Sequence, residues 1–409
     1  MAISQTTNGI ANGAAASAPA QPAELDASKV VVSLANELKP IPPATELKFG
    51  QVMTDHMMVV SYDPVNGWST PEIKPYGPLA LDPASSCFQY ATNVFEGMKA
   101  YVGPDGKPRL FRPNKNMDRM TMSAGRVALP PFDTNELLKL IRRLVAIEQR
   151  WIPTQKGHSL YIRPTIIGTR SSLGVAASDS AVLYVICSPT GPYFRTGARP
   201  VSLLAVNETV RAWPGGTGGY KLALNYAPTF KPQQYAAKLG YDQCLWLLGE
   251  KITEAGAMNF FVVIQREDGE LVAEDVHRPP TDLDVFTPPL DGTILPGVTR
   301  DSILALAAAH PSRMVLPNLP MSLRLHVSER ELTMSELSAW AADGRLLEAF
   351  GVGTAVVVAA VGRIGYQGKD IVLPTHEGGL GPVGRALYER ITEIQDGKFQ
   401  WEDWSVVCE

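Results

Sequence analysis

The run 215-GGTGGYKLALNYAPTF-230 sets one lysine, Lys221, behind a cluster of glycines, with a tyrosine, Tyr226, shortly after it. A phosphate loop of the G-x-x-x-x-G-K-[ST] kind needs glycine before the lysine and a hydroxyl after it. Tyr220 and Leu222 hold those places here, so the nucleotide reading fails. The other chemistry open to such a lysine is covalent. An amine that forms a Schiff base must shed its proton, which calls for dry or cationic surroundings. The glycines would then let the backbone pack closely around a bound group.

Three further stretches could complete such a site. In 253-TEAGAMNFFVV-263, Glu254 stands just before an apolar run, and a carboxylate buried there needs a cation or a strong donor. In 295-LPGVTRDSILALAA-308 a Pro-Gly turn feeds a helix, and the free N–H groups of such a start attract anions. In 111-FRPNKNMDRM-120 and 161-YIRP-164, Arg119 and Arg163 offer guanidinium forks that match phosphate or carboxylate. Taken alone, each stretch has an ordinary reading: a solvated loop lysine, a turn glutamate facing water, a turn-to-helix junction, a pair of surface arginines. Together they fit pyridoxal phosphate, which needs a lysine for its aldehyde, an acid for its pyridine nitrogen, a phosphate cup and a tyrosine near its phenolate oxygen.

The elements that must position these residues predict two α/β domains (mixed α+β) with the site between them. A disordered tail is expected over 1–44, a small N-terminal domain over 45–193, a Pro/Gly-rich linker over 194–200, and a large domain carrying Lys221 over 201–409. Asp133 and Glu136 form a capping box ahead of a helix through Leu137, Leu140, Ile141, Leu144 and Trp151. The runs 182-VLYVIC-187, 201-VSLLAV-206, 244-CLWLL-248, 260-FFVVI-264 and 356-VVVAAV-361 read as strands. Helices are predicted around 298–309 and 383–396, the second stopped by Gly397.

Composition narrows the partners. A net charge of −4 argues against nucleic acid or an anionic membrane as the main partner, and no apolar run approaches the ~18 residues of a membrane span. Cys87, Cys187, Cys244 and Cys408 are scattered without a C-x-x-C pair, and no H-x-x-x-H spacing occurs. Neither a metal site nor a disulfide framework is expected, and a reducing compartment is. The first 28 residues contain no Lys or Arg, so neither a mitochondrial presequence, which needs Arg, nor a secretory signal, which needs a basic start, is expected, and the cytoplasm is the expected location.

The chain resembles the branched-chain amino-acid aminotransferases of the fold-type IV pyridoxal-phosphate enzymes. The blocks that carry the resemblance are 52-VMTDHM-57, 95-FEGMKAY-101, 117-MDRM-120, 159-SLYIRP-164, 220-YKLALNYAPT-229, 253-TEAGAMN-259, 295-LPGVTR-300 and 351-GVGTA-355, in the family's order from about Leu47 onward. The resemblance implies that Lys221 binds the coenzyme and shuttles the proton, that Glu254 pairs with the pyridine nitrogen, and that Tyr226 bonds the phenolate oxygen. It assigns the phosphate to Arg119, the N–H groups of Val298 and Thr299, and the Thr354 hydroxyl. Arg163 with the backbone of Thr354 and Ala355 resembles the carboxylate-reading part of the family's pocket, and Tyr90, Phe95, Tyr161 and Tyr193 its aromatic box. The segment 171-SSLGV-175 is similar to a loop that reaches a partner's site, which implies a homodimer with Leu173 and Val175 as contacts. The implied reaction moves the amino group of L-leucine, L-isoleucine or L-valine to 2-oxoglutarate. The alternatives within the same fold type are a D-amino-acid aminotransferase and an aminodeoxychorismate lyase. The chain departs from the family at three places. Val356 and Ala359 replace the C-x-x-C cysteines of animal members, Ala257 stands where many have Thr, and Arg170 stands where an acid is common.

Overall fold

β-Branched and alternating residues between 56 and 190 build the first sheet. The computed structural model describes residues 22–193, 199–267, 282–310 and 312–409. Among these, a ten-stranded sheet runs in the order Val31–Val32, Glu72–Pro75, His56–Asp63, Ala181–Thr190, Ser159–Gly168, Met98–Val102, Pro108–Phe111 and Ser405–Val407. Gly67–Trp68 and Asn93–Phe95 pair beside that path. Ala181–Thr190 contains the expected run 182–187 and starts with alternating burial, as a strand with two unequal faces does. The first core forms where this sheet meets helix α2 (Pro113–Arg126) and helix α3 (Thr134–Ile147), after the short helix α1 (Ser86–Tyr90).

Helix α3 corrects the expected capping box. The Asp133 carboxylate accepts from Asn135 N at 2.7 Å and Glu136 N at 3.2 Å, but Glu136 does not return to the N-cap backbone. Its Oε2 accepts instead from Ala27 N at 2.8 Å. The helix stops at Ile147, and Trp151 packs from the 3-10 turn that follows.

That contact belongs to a larger correction. Residues 22–44, read as part of a disordered tail, dock on the first sheet. Leu25 is buried in the core, and Val31–Val32 pairs in parallel with Glu72–Pro75. Leu25, the partly buried Ala27, Val30 and Val32 around it, and a paired backbone supply what the polar composition hid. The far end of the chain crosses over too. Ser405–Val407 leaves the second half and pairs antiparallel with Pro108–Phe111, covering what would be an open edge.

The second sheet has nine strands among the described residues. Lys251–Ala255, Gln243–Leu248, Val201–Val206, Val357–Tyr366, Leu346–Gly353 and Met258–Gln265 follow one another, and the last pairs back with the first, closing a ring. Leu203, Leu245, Phe260, Val262 and Ile364 fill one core on this sheet. Asp282–Thr287 and Arg324–Glu329 extend it, and Lys369–Val372 pairs with Val357–Tyr366. Helices α4 (Phe230–Lys238), α5 (Val298–Ala309), α6 (Met334–Ala342) and α7 (Pro382–Gln395) pack outside. The strands and the two helices expected here appear within a residue or two of their predicted ends, except that the strand expected over 356–361 runs on to Tyr366. Of the expected linker, residues 194–198 lie outside the described residues.

Candidate active site

Lys221 belongs by sequence to the second half but is pinned to the first. Its N–H donates to Ser123 Oγ of α2 at 2.9 Å, and its carbonyl accepts from Phe95 N at 3.3 Å. Leu222 bridges to Val94 and is buried in the first core. Asn225 holds the turn around the lysine, donating to Thr217 O at 2.9 Å and Tyr220 O at 2.8 Å. The glycines before it do serve close packing: a Cβ on Gly218 would lie 2.4 Å from Ala212 Cβ and 2.6 Å from Thr293 O. The Lys221 amine faces Tyr226 OH at 3.4 Å and sits 5.1 Å from the centre of the Phe95 ring.

Glu254 ends the strand Lys251–Ala255, at 2% exposure. Its Oε1 accepts from Leu295 N at 2.8 Å and Asn259 Nδ2 at 3.2 Å, and Arg211 Nη2 lies 3.0 Å from its Oε2. Burial raises its carboxyl above the usual range, and the charges of Arg211 and Lys221 oppose that rise. The carboxylate is therefore buried but paired, as the sequence reading required. Arg211 and Asn259 are site residues that the reading missed: Arg211 lies in no singled-out stretch, and Asn259 stands in the same stretch as Glu254 without a role assigned to it.

The phosphate candidates converge. Val298 and Thr299 open α5, whose N-cap Gly297 offers no side-chain bond to the first turn, so helical geometry leaves their N–H groups without acceptors. Together with Thr354, Lys99 and Asn116 they line one small cavity. Arg119 of α2 reaches the turn just before α5, with Nη1 donating to Pro296 O at 3.0 Å. Its other edge is taken by Glu96, a third residue the reading missed. Lys99, buried behind the cup, donates to Ala355 O at 2.7 Å, and burial brings its amine down to about 8.

On the substrate side, Phe95, Tyr161 and Arg163 cluster. The Arg163 guanidinium lies 4.6 Å from the Phe95 centroid and 5.2 Å from that of Tyr161, and Nη2 donates to Tyr161 OH at 3.0 Å. Its Nε is buried without a partner among the described residues, which suits a site for a carboxylate. Phe49, also missed, stands edge-on to Tyr161 at 4.7 Å and to Tyr193 at 5.3 Å. Ala257 is exposed in the turn after Glu254. Tyr90, Leu173 and Val175 stand apart: Tyr90 OH donates to Leu173 O, and both loop side chains are largely exposed. Arg170 has a physical account here. Its Nη1 donates to Gly174 O at 3.4 Å, tying that loop to its own stem.

An amine beside a phenol, a buried paired carboxylate and an uncapped helix start beside an arginine match the four demands of pyridoxal phosphate, so the residues fit that group. The chain matches the amino-transferase class IV family over residues 93–364. It is 47% identical over 388 residues to the mitochondrial branched-chain-amino-acid aminotransferase of Schizosaccharomyces pombe, covering 94% of this chain and 86% of that one. It belongs to the branched-chain amino-acid aminotransferase family. The cytosolic branched-chain-amino-acid aminotransferase of Saccharomyces cerevisiae is 45% identical over 391 residues, with 94% and 98% of the two chains covered. The branched-chain aminotransferase of Thermoproteus uzoniensis, solved with norvaline, superposes with a TM-score of 0.64 at 22% identity, covering 87% of this chain and all of that one, a likeness of fold. The aminotransferase fold thus places Lys221, Glu254 and the start of α5 where two sheets meet.

Proposed function

We propose that this enzyme, with pyridoxal phosphate bound, transfers the amino group of L-leucine, L-isoleucine or L-valine reversibly to 2-oxoglutarate. The observation that carries the reading is the convergence of the Lys221–Tyr226 pair, the buried Glu254 carboxylate and the α5 start within a member of this family. When bound, the coenzyme supplies an aldehyde for an amine and a ring that draws electrons from the substrate Cα.

The chain's own residues do the rest. Arg119, the N–H groups of Val298 and Thr299, and the Thr354 hydroxyl hold the phosphate. Glu254, paired with Arg211, would hold a proton on the pyridine nitrogen. Tyr226 donates to the phenolate oxygen. With the coenzyme bound, Lys221 Nζ would serve as the general base and acid that moves the proton at the substrate Cα. Arg163 and the backbone at Thr354 and Ala355 orient the substrate carboxylate. Phe95, Tyr161 and Tyr193 exclude water from the aliphatic side chain, whose burial contributes roughly 1.5–3 kcal/mol. Such a box separates leucine, isoleucine and valine weakly, since a methylene is worth only about 1–3 kcal/mol.

We also propose a homodimer in which Leu173 and Val175 meet the partner's site. Their exposure and the Tyr90 and Arg170 bonds to the loop support this. Light scattering tests the assembly, and a monomer at micromolar concentration would refute it.

The test of function is the visible spectrum of the purified protein. A coenzyme band that fades with L-leucine, returns with 2-oxoglutarate and ignores D-leucine is expected. A band that responds only to D-amino acids would reassign the enzyme. Lys221→Ala should abolish multiple turnover, and normal steady-state rates in that variant would overturn the role of the lysine.

A further inference from the structure

Arg112 caps the start of α2 in a left-handed conformation, φ 45° and ψ 48°. Arginine gains nothing from that backbone geometry by itself, and such strain persists only where the surroundings hold it. Here they hold it on every side. Its N–H donates to Trp404 O at 2.7 Å, and its guanidinium carbon lies 4.0 Å from the centre of the Trp404 ring. Nη1 donates to Ser302 Oγ at 2.7 Å, and Nη2 pairs with Asp301 Oδ2 at 2.6 Å. Both of those partners lie on α5.

The chain of bonds continues. Ser302 Oγ, fully buried, donates its own proton to Val298 O at 2.8 Å. Arg112 therefore acts on the first turn of α5, whose N–H groups form the cup. Arg119 touches the same region from further along α2, through Pro296 O. Those two arginines lie about two helical turns apart, near 10 Å. One contact falls on α5 and the other on the turn that leads into it, so together they hold α2 against both the helix and its start.

We propose that Arg112 is a positioning residue for the coenzyme phosphate: through Ser302 it sets the first turn of α5 at the spacing from Arg119 that one phosphate requires. Trp404 holds Arg112 from the other side, so the C-terminal strand is coupled to the cup. The inference rests on the phosphate reading given above.

The test compares pyridoxal phosphate with pyridoxal, which lacks the phosphate, as ligands of the full chain stripped of coenzyme. Ser302→Ala removes the relay with little disturbance to the fold, Arg112→Met removes its source, and Thr354→Ala reports on the cup itself. Affinity for pyridoxal phosphate should fall about tenfold in Ser302→Ala, the fold-change of one lost hydrogen bond, and further in Arg112→Met. Affinity for pyridoxal should stay within twofold in both. A merely structural arginine would weaken both ligands equally, and that result overturns the proposal. If Thr354→Ala alone loses the phosphate preference, the cup stands and the role of Arg112 falls. If no variant loses it, the cup reading fails and takes this inference with it.

Discussion

Glu96 and Arg119 form a buried two-point pair, Nε to Oε1 at 2.7 Å and Nη2 to Oε2 at 2.8 Å, at 0% and 6% side-chain exposure. Asn116 Nδ2 donates to the same carboxylate at 2.8 Å. The pair turns the guanidinium so that Nη1 faces the start of α5. Burial opposes the Glu96 charge, but Arg119 and Lys221 hold the carboxyl below its usual range.

Glu96→Ala leaves Arg119 charged and unpaired, and should destabilise the protein by roughly 3–5 kcal/mol. The sign of the pH dependence follows from the lowered carboxyl. The contribution of Glu96 is fully present above the unfolded glutamate value of about 4.3 and is lost as pH falls through the lower folded value. In urea denaturation the gap between wild type and variant should stay wide at pH 7 and close only in stronger acid. A gap already closed at pH 6 would rule out the ionised pair.

Arg211 controls Glu254 in a different way. Burial raises the Glu254 carboxyl, and Arg211 is the largest opposing influence. Arg211→Met should push it higher still, so that less of it is ionised near neutral pH. The acid limb of the kcat/KM profile for L-leucine should then move to higher pH, while the Km for coenzyme phosphate changes little. An unmoved acid limb would show that Glu254 ionises without its arginine.

These two pairs mark the limit of what the sequence makes legible. Lys221, Glu254, Arg119 and the start of α5 stand in blocks with recognisable residue types, and the long strands and helices follow from periodicity. Their pairing does not show: Asn259 and Glu96 stand in such blocks and Arg211 in none, yet no block says which residues meet. Arg211 and Asn259 reach Glu254 from a loop and a neighbouring strand, and Glu96 reaches Arg119 from just after the strand Asn93–Phe95. No spacing along the chain announces a contact made only when separate elements close on each other. The docking of residues 22–44 was hidden for a related reason: a few small apolar contacts around Leu25, backbone pairing, and bonds from distant side chains such as Glu136 and Asp55 hold it, and none of these leaves a pattern in composition.

Lys99 gives a test of opposite sign. Burial lowers its amine from 10.5 to about 8, with Ala355 O as its acceptor. Between those values the unfolded chain holds a proton that the folded chain has released, so the stability of the wild type rises with pH across that window. The full effect is about 3 kcal/mol at ~1.4 kcal/mol for each pK unit. Lys99→Met lacks the rise. In coenzyme-free protein the variant should be the more stable at pH 7, and its advantage should shrink by pH 10. A constant difference between the two pH values would mean that Lys99 is solvated or paired.

Phe49 offers the sharpest test of the aromatic box, because it lies outside every block that carries the family resemblance. It meets Tyr161 and Tyr193 edge-on, so it joins the two tyrosines of the cluster. An aliphatic side chain buried against it loses apolar contact when it is cut back to alanine, and a contact of that size is worth about 1–2 kcal/mol. Phe49→Ala should therefore lower kcat/KM for L-leucine about 5- to 30-fold. The polar side chain of 2-oxoglutarate draws little from an aromatic edge, so its kcat/KM should change less than threefold. The two constants are measured in the same variant, which separates a substrate contact from a loss of folding: a misfolded enzyme lowers both together. Equal losses would remove Phe49 from the pocket and leave it as packing for Tyr161 alone.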